Sequence, residues 1–130
     1  MIKIYTSYFG QLKNLAKDGI VPISIARYTP QYFKGRLLIE VAPTGPMLKM
    51  EEEEYRKAYA EILRHVDVNK LLSSIQEISG GRSVALLCYE KIGEFCHRRL
   101  LAEWIERSLN IEVPEYGVTK NPEVKQLTLF

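Results

Sequence analysis

Ser83-Val84-Ala85-Leu86-Leu87-Cys88 places five apolar residues in a row behind one serine. A continuous apolar run of strand length implies burial on both faces, as in a parallel sheet. Gly80-Gly81 lies just before it and suits the left-handed turn that ends a helix. Upstream of the glycines, Leu71, Leu72, Ile75 and Ile78 recur at helical spacing, so 68–79 reads as an amphipathic helix. Asp67 stands where an N-cap belongs. Downstream, Leu100, Leu101, Trp104, Ile105 and Leu109 share one face, which predicts a helix over 95–109.

The reading extends to both ends. Ile2-Lys3-Ile4-Tyr5-Thr6 alternates apolar and polar residues and predicts a first strand. A short helix follows through Leu12, Leu15 and Ala16, closed by Asp18-Gly19. Ile20 to Ala26 is a second strand, with Pro22 near its start where a missing N–H is tolerated. From Arg27 to Pro46 the pattern breaks at Pro30, Gly35, Pro43, Gly45 and Pro46. Tyr28, Tyr32 and Phe33 lie among the breaks. A long irregular stretch in a compact domain either covers a core edge or faces a substrate. A helix over 51–66 opens with four glutamates, Glu51 to Glu54. They suit the positive end of the helix dipole and point around the helix rather than converging on a metal. Ile111 to Pro114 reads as a last strand.

The order β-α-β-loop-α-α-β-α-β predicts a small three-layer α/β fold. It is flavodoxin/Rossmann-like, with about four parallel strands in the order 2-1-3-4 and helices on both faces. Ligands in such sheets bind beyond the carboxyl ends of the strands. The 130 residues, 46% hydrophobic and 26% charged, suit one domain. Residues 1–116 are read as that domain and 117–130 as a flexible tail. A net charge of +2 excludes a strongly basic nucleic-acid coat but leaves room for a local basic patch. Nothing approaches a membrane span, and the N-terminus shows no secretory signal. Two cysteines are too few for a disulfide framework, so a cytoplasmic protein is expected.

Chemistry-bearing side chains concentrate where the SVALLC strand gives way to the following helix. Cys96, His97 and Arg98 fall in the first turn, where free N–H groups favour an anion and lower a thiol pKa. Cys96 is the candidate nucleophile, with His97 and Glu90 as catalytic partners. Thr6, Ser7, Arg27, Cys88, Lys91 and Arg98 are the candidate anion-binding residues. The hydroxyls of Thr6 and Ser7, with Arg27, are expected to face the start of the last helix. Cys96 is also spaced to pack with Leu100 and Trp104 as a small buried hydrophobe, and Cys88 can likewise be core. Zinc on Cys88, Cys96 and His97 lacks a fourth ligand at a usual spacing, since the other histidine, His65, lies in a distant helix. No metal or cofactor is expected. A Cys88–Cys96 disulfide would act as a redox switch, although the spacing is not C-x-x-C. No Walker loop, G-x-G-x-x-G or G-x-S-x-G occurs.

The run VALLCYEKIGEFCHRRLLAEWI (84–105) resembles the signature of the domain of unknown function 488 family. There an apolar strand ends in L-C, an E-K pair follows, and C-H-R opens a helix. IKIYTSYFG at the start, IVPISIARYTP (20–30) and the Val41-Ala42-Pro43 turn are also similar to that family. The resemblance implies a small α/β domain with a site around Cys88, Glu90, Cys96, His97 and Arg98, and no settled activity. Separately, Gln126-Leu127-Thr128-Leu129-Phe130 resembles the bacterial sliding-clamp-binding peptide, with Gln126, Leu127, Leu129 and Phe130 as the contacts. Together these readings lead to an enzyme of nucleic acid or nucleotides recruited to the replication clamp. The alternatives are a noncatalytic anion- or nucleotide-binding module that docks on the clamp, and a thiol redox protein.

Overall fold

The computed structural model describes residues 2–89 and 96–118. Four parallel strands form one sheet in the order β1-β4-β2-β3: β1 Ile4–Tyr8, β2 Val21–Ser24, β3 Arg36–Leu37 and β4 Val84–Cys88. The helices are α1 Leu12–Lys17, α2 Glu52–Arg64, α3 Val68–Ser79 and α4 His97–Leu109. The small parallel α/β class is therefore as expected. Alternation along the strands divides the sheet cleanly. Ile4, Ile23, Ile25, Val84 and Leu86 pack against α2, α3 and α4. Ala85 and Leu87 pack with Phe9, Leu15, Ile20 and Phe33 on the α1 side. The described helices include none long and apolar enough to cross a membrane.

The strand order differs from the expected 2-1-3-4. The SVALLC strand sits between β1 and β2, so the first two strands are not neighbours. Every residue of β4 is buried, and the interior position is the one that removes both faces of an all-apolar strand from water. β1 keeps Tyr5 and Tyr8 only half-buried and takes an edge. Pro22 is accommodated beside β4 by orientation. Val21 and Ile25 donate their N–H groups to the carbonyls of Ser83 and Leu87. The intervening Pro22 nitrogen faces the other side, where pairing with β3 begins only at Ile23.

The fourth strand is also not the expected one. It is Arg36–Leu37, inside the stretch that reads as irregular. Ile111 to Pro114 forms no strand. The chain there makes one parallel bridge, Thr6 with Glu115, in which Thr6 N–H donates to Pro114 O and Tyr116 N–H donates to Thr6 O. The irregular stretch covers a core edge, the first of its two expected roles. Phe33 packs on Phe9 with ring centroids 5.4 Å apart, while Tyr28 and Tyr32 stay exposed.

Local signals set the helix ends. The Asp67 carboxylate accepts from the N–H groups of Asn69 and Lys70 at 2.9 and 3.2 Å. Gly80 closes α3 with φ of 63°, a conformation glycine adopts without a Cβ penalty. Glu52 and Glu53 are exposed and pair with Arg56 and Lys57 one turn on, which fits a solvated first turn. Asp67→Ala is expected to lose about 1 kcal/mol of stability, read as a lower urea midpoint with an unchanged slope.

Candidate active site

Three of the sequence-predicted residues, Cys88, Cys96 and His97, meet at the carboxyl end of the sheet. Cys88 ends β4 on the face that carries Leu86, and Cys96 is the N-cap of α4. Their sulfurs are joined in a disulfide. His97 opens α4 and is buried under the rings of Tyr55 and Tyr59. Its Nε2 lies 2.7 Å from the carbonyl oxygen of Ile25. A carbonyl only accepts, so Nε2 carries the proton and Nδ1 carries the lone pair. That Nδ1 lies 3.7 Å from Cys96 Sγ.

These groups form the floor of a cleft of about 210 Å³. Its walls include Arg27, Tyr28, Leu48, Met50, Glu52 and Tyr89. Cys96 and His97 are buried but line this hollow. Tyr89 donates its hydroxyl to the Tyr28 carbonyl, and its ring rests on Phe9 at 5.2 Å. Both tyrosines are more than half exposed, at 64% for Tyr28 and 52% for Tyr89. The turn that carries Arg27 is pinned below by Ser24. Its hydroxyl oxygen accepts from Ala26 N–H and bonds the Thr29 hydroxyl.

The first turn of α4 reads His-Arg-Arg, which places cations at the positive end of the dipole. The fold compensates each one. Arg98, fully buried, makes a bidentate pair with Glu115 through Nε at 3.0 Å and Nη2 at 2.9 Å. Its Nη1 donates to Cys88 Sγ at 3.0 Å. Arg99 donates to Thr6 Oγ1 and to the carbonyl of Val113, while Thr6 donates to Glu115 at 2.6 Å. His97 stays neutral. Burial pushes its pKa down to about 4, with Arg98 acting in the same direction and the Ile25 hydrogen bond opposing them. Burial, with the neighbouring Tyr55, also raises the Tyr59 phenol well above its usual value, and that hydroxyl donates to Val41 O.

The remaining candidates divide. Arg27 borders the cleft. Arg98 lies behind the floor, committed to Glu115 and Cys88. Thr6 reaches the start of α4, but through Arg99 and Glu115 and away from the cleft lining. Ser7 does not: its hydroxyl is buried with no hydrogen-bond partner among the described residues. Glu90, Lys91 and the tail residues Gln126, Leu127, Leu129 and Phe130 lie outside the described residues. Sequence reasoning missed Glu115 and Tyr89. The acid–base pairing of Glu115 with Arg98 leaves no local spacing signal, whereas the exposed aromatic after an apolar strand was a usable one.

The donor atoms of Cys88, Cys96 and His97 all lie within 4.8 Å of one another. The two thiols and Nδ1 of the reduced chain could supply three corners of a tetrahedral metal site. His65 is exposed at the end of α2 and bonds Glu61, well apart from this group in the fold.

The sheet and this cleft define a parallel α/β domain with a paired-cysteine site at the strand carboxyl ends. The family model described as DUF488-N3a, the active DUF488-N3 subclade, matches residues 13–109, and the chain belongs to this family of domains of unknown function. No curated protein and no solved structure matches it.

Because the fold holds His97 at about 4 against an ordinary 6.5, the unfolded chain binds its proton first as pH falls. The stability supplied by the neutral ring is complete above 6.5 and is lost as the pH drops to 4. The full loss is roughly 3 kcal/mol. With the disulfide intact, the stability advantage of the wild type over His97→Gln should shrink by that amount across this window. Urea melts of both proteins at several pH values check it; a constant gap would exclude a neutral buried imidazole.

Proposed function

We propose that this protein is a cysteine-dependent enzyme that takes one nucleotide unit of a nucleic acid, or a free nucleotide, into the Cys96–His97 cleft. The carrying observation is the pairing of Cys96 Sγ with the unprotonated Nδ1 of His97 on the floor of a tyrosine-walled hollow. In the reduced protein, Cys96 is the nucleophile, placed at the start of α4 where developing negative charge is stabilised. His97 is neutral, so its Nδ1 is free to take the proton as the sulfur attacks. His97 is held for that role by the Ile25 carbonyl, which fixes the tautomer.

The walls support the substrate class. A base has two flat faces, and Tyr28 and Tyr89 offer exposed rings for stacking, each worth about 1–3 kcal/mol per base. Arg27 at the rim suits the attached phosphate. The cleft is smaller than the roughly 300–1,000 Å³ of a drug-sized pocket, which favours one extruded nucleotide over a duplex. The subclade's description as active is in keeping with catalysis. The terminal peptide Gln126 to Phe130 would tether the domain to the bacterial sliding clamp in the cytoplasm. Tethering raises local concentration, so weak intrinsic contact with DNA would suffice.

Two measurements test these statements. Short single-stranded oligonucleotides should bind the reduced protein in fluorescence anisotropy, and Tyr28→Ala or Tyr89→Ala should each weaken binding by about 5- to 150-fold. Binding that is absent, or indifferent to both changes, overturns the substrate class. Deleting 126–130 should abolish capture by immobilised sliding clamp; undiminished capture would remove the replication link.

A further inference from the structure

Cys88 has no part in the proposed chemistry, yet it lies on the same cleft floor and is bonded to the nucleophile. We infer that Cys88 is the resolving thiol of a hydroperoxide-responsive pair, so that oxidation of Cys96 switches the cleft off reversibly. The inference rests on the cysteine-enzyme reading for what is switched, but the pair itself is defined by geometry alone.

Three observations carry it. First, both cysteines line the cleft, but it is Cys96 Sγ that has the unprotonated Nδ1 of His97 beside it, at 3.7 Å. Cys96 is therefore the sulfur with a base placed to take its proton as it attacks a hydroperoxide. Second, the Arg98 guanidinium donates to Cys88 Sγ at 3.0 Å while Glu115 neutralises its other edge. That N–H is placed to stabilise negative charge on Cys88 Sγ as the attacking thiolate forms. Third, both cysteines are at most 3% exposed. A pair set this deep in the fold is reached by small molecules but not by another chain, so it closes within the chain. Disulfides in a reducing compartment are usually transient and either catalytic or redox-sensing.

The chemistry balances in two steps. The Cys96 thiol gives its proton to Nδ1 of His97 as the sulfur attacks the terminal, hydrogen-bearing oxygen of the hydroperoxide. An S–O bond forms, the O–O bond breaks, and the other oxygen leaves with a solvent proton as an alcohol, or as water from hydrogen peroxide. The sulfur loses two electrons to the peroxide and becomes a sulfenic acid. The Cys88 thiolate then attacks that sulfur. The S–S bond forms, the S–O bond breaks, and hydroxide leaves through the cleft and takes a proton to become water. A dithiol reductant reverses the bond by exchange, restoring both thiols and itself becoming a disulfide. While the bond stands, Cys96 has no proton to give His97 and no lone thiolate for substrate.

The test uses the full chain, reduced and then treated with one equivalent of hydrogen peroxide. Iodoacetamide and intact mass should count two alkylatable thiols before treatment, none after it, and two again after dithiothreitol, with the chain monomeric throughout. In Cys88→Ser, and in Cys88→Ala as a second variant, Cys96 should instead form a dimedone adduct and pass under excess peroxide to a sulfinic acid that dithiothreitol does not reverse. Retention of both thiols in the wild type, an interchain disulfide, or no adduct at Cys96 in either variant overturns the inference. These readouts need no substrate. A protein that cycles its thiols but binds no oligonucleotide would uphold the pair and refute the nucleotide reading alone.

Discussion

The buried ion pair between Arg98 and Glu115 is the constraint on which the site depends. It joins the first turn of α4 to the segment that bridges β1, and it does so at the only place where both cysteines of the chain converge. Desolvating a guanidinium costs several kcal/mol unless its donors are met. Here two donors meet Glu115 and one meets Cys88. Thr6 and Arg99 add a second layer, so each oxygen or nitrogen in the cluster restrains another. The position of α4 relative to the sheet, and with it the position of Cys96 and His97, follows from that cluster.

With Arg98 behind the floor neutralised by Glu115, the cleft side of the helix carries different electrostatics. His97 is buried and uncharged, locked by one backbone carbonyl, and its lone pair faces a sulfur. Its low basicity suits a base that acts during attack and disfavours a standing ion pair. Tyr89 is held in the cleft wall by its ring contact with Phe9 and its hydroxyl bond to the Tyr28 carbonyl. Arrangement of this kind fits catalysis and thiol control at one location, because the same buried sulfur can be nucleophile or disulfide partner.

Much of the scaffold was legible from local rules. Asp67 and Gly80 bounded α3 because a carboxylate at an N-cap and a glycine after the last turn act on adjacent backbone. The apolar run from Val84 identified a strand buried on both faces. The pairing order was not legible: hydrophobic patterning sets which face is buried but does not rank neighbours among parallel strands. The two-residue strand at Arg36–Leu37 was hidden for a related reason, since both side chains are exposed and its existence depends on backbone pairing with β2.

By itself, the sequence determined the alternation of strands and helices, the capped ends of α3, and the clustering of Cys96, His97 and Arg98 in one helical turn. Those features depend on neighbours a few residues apart, where geometry is fixed by the backbone. Only the tertiary structure decided that Arg98 faces inward to an acid 17 positions away, that Thr6 bonds a carboxylate 109 positions away, and that Arg27 and Tyr89 close around the same hollow. Contacts at such separations arise when the sheet is assembled and its polar groups must find partners out of water, and no spacing along the chain records them.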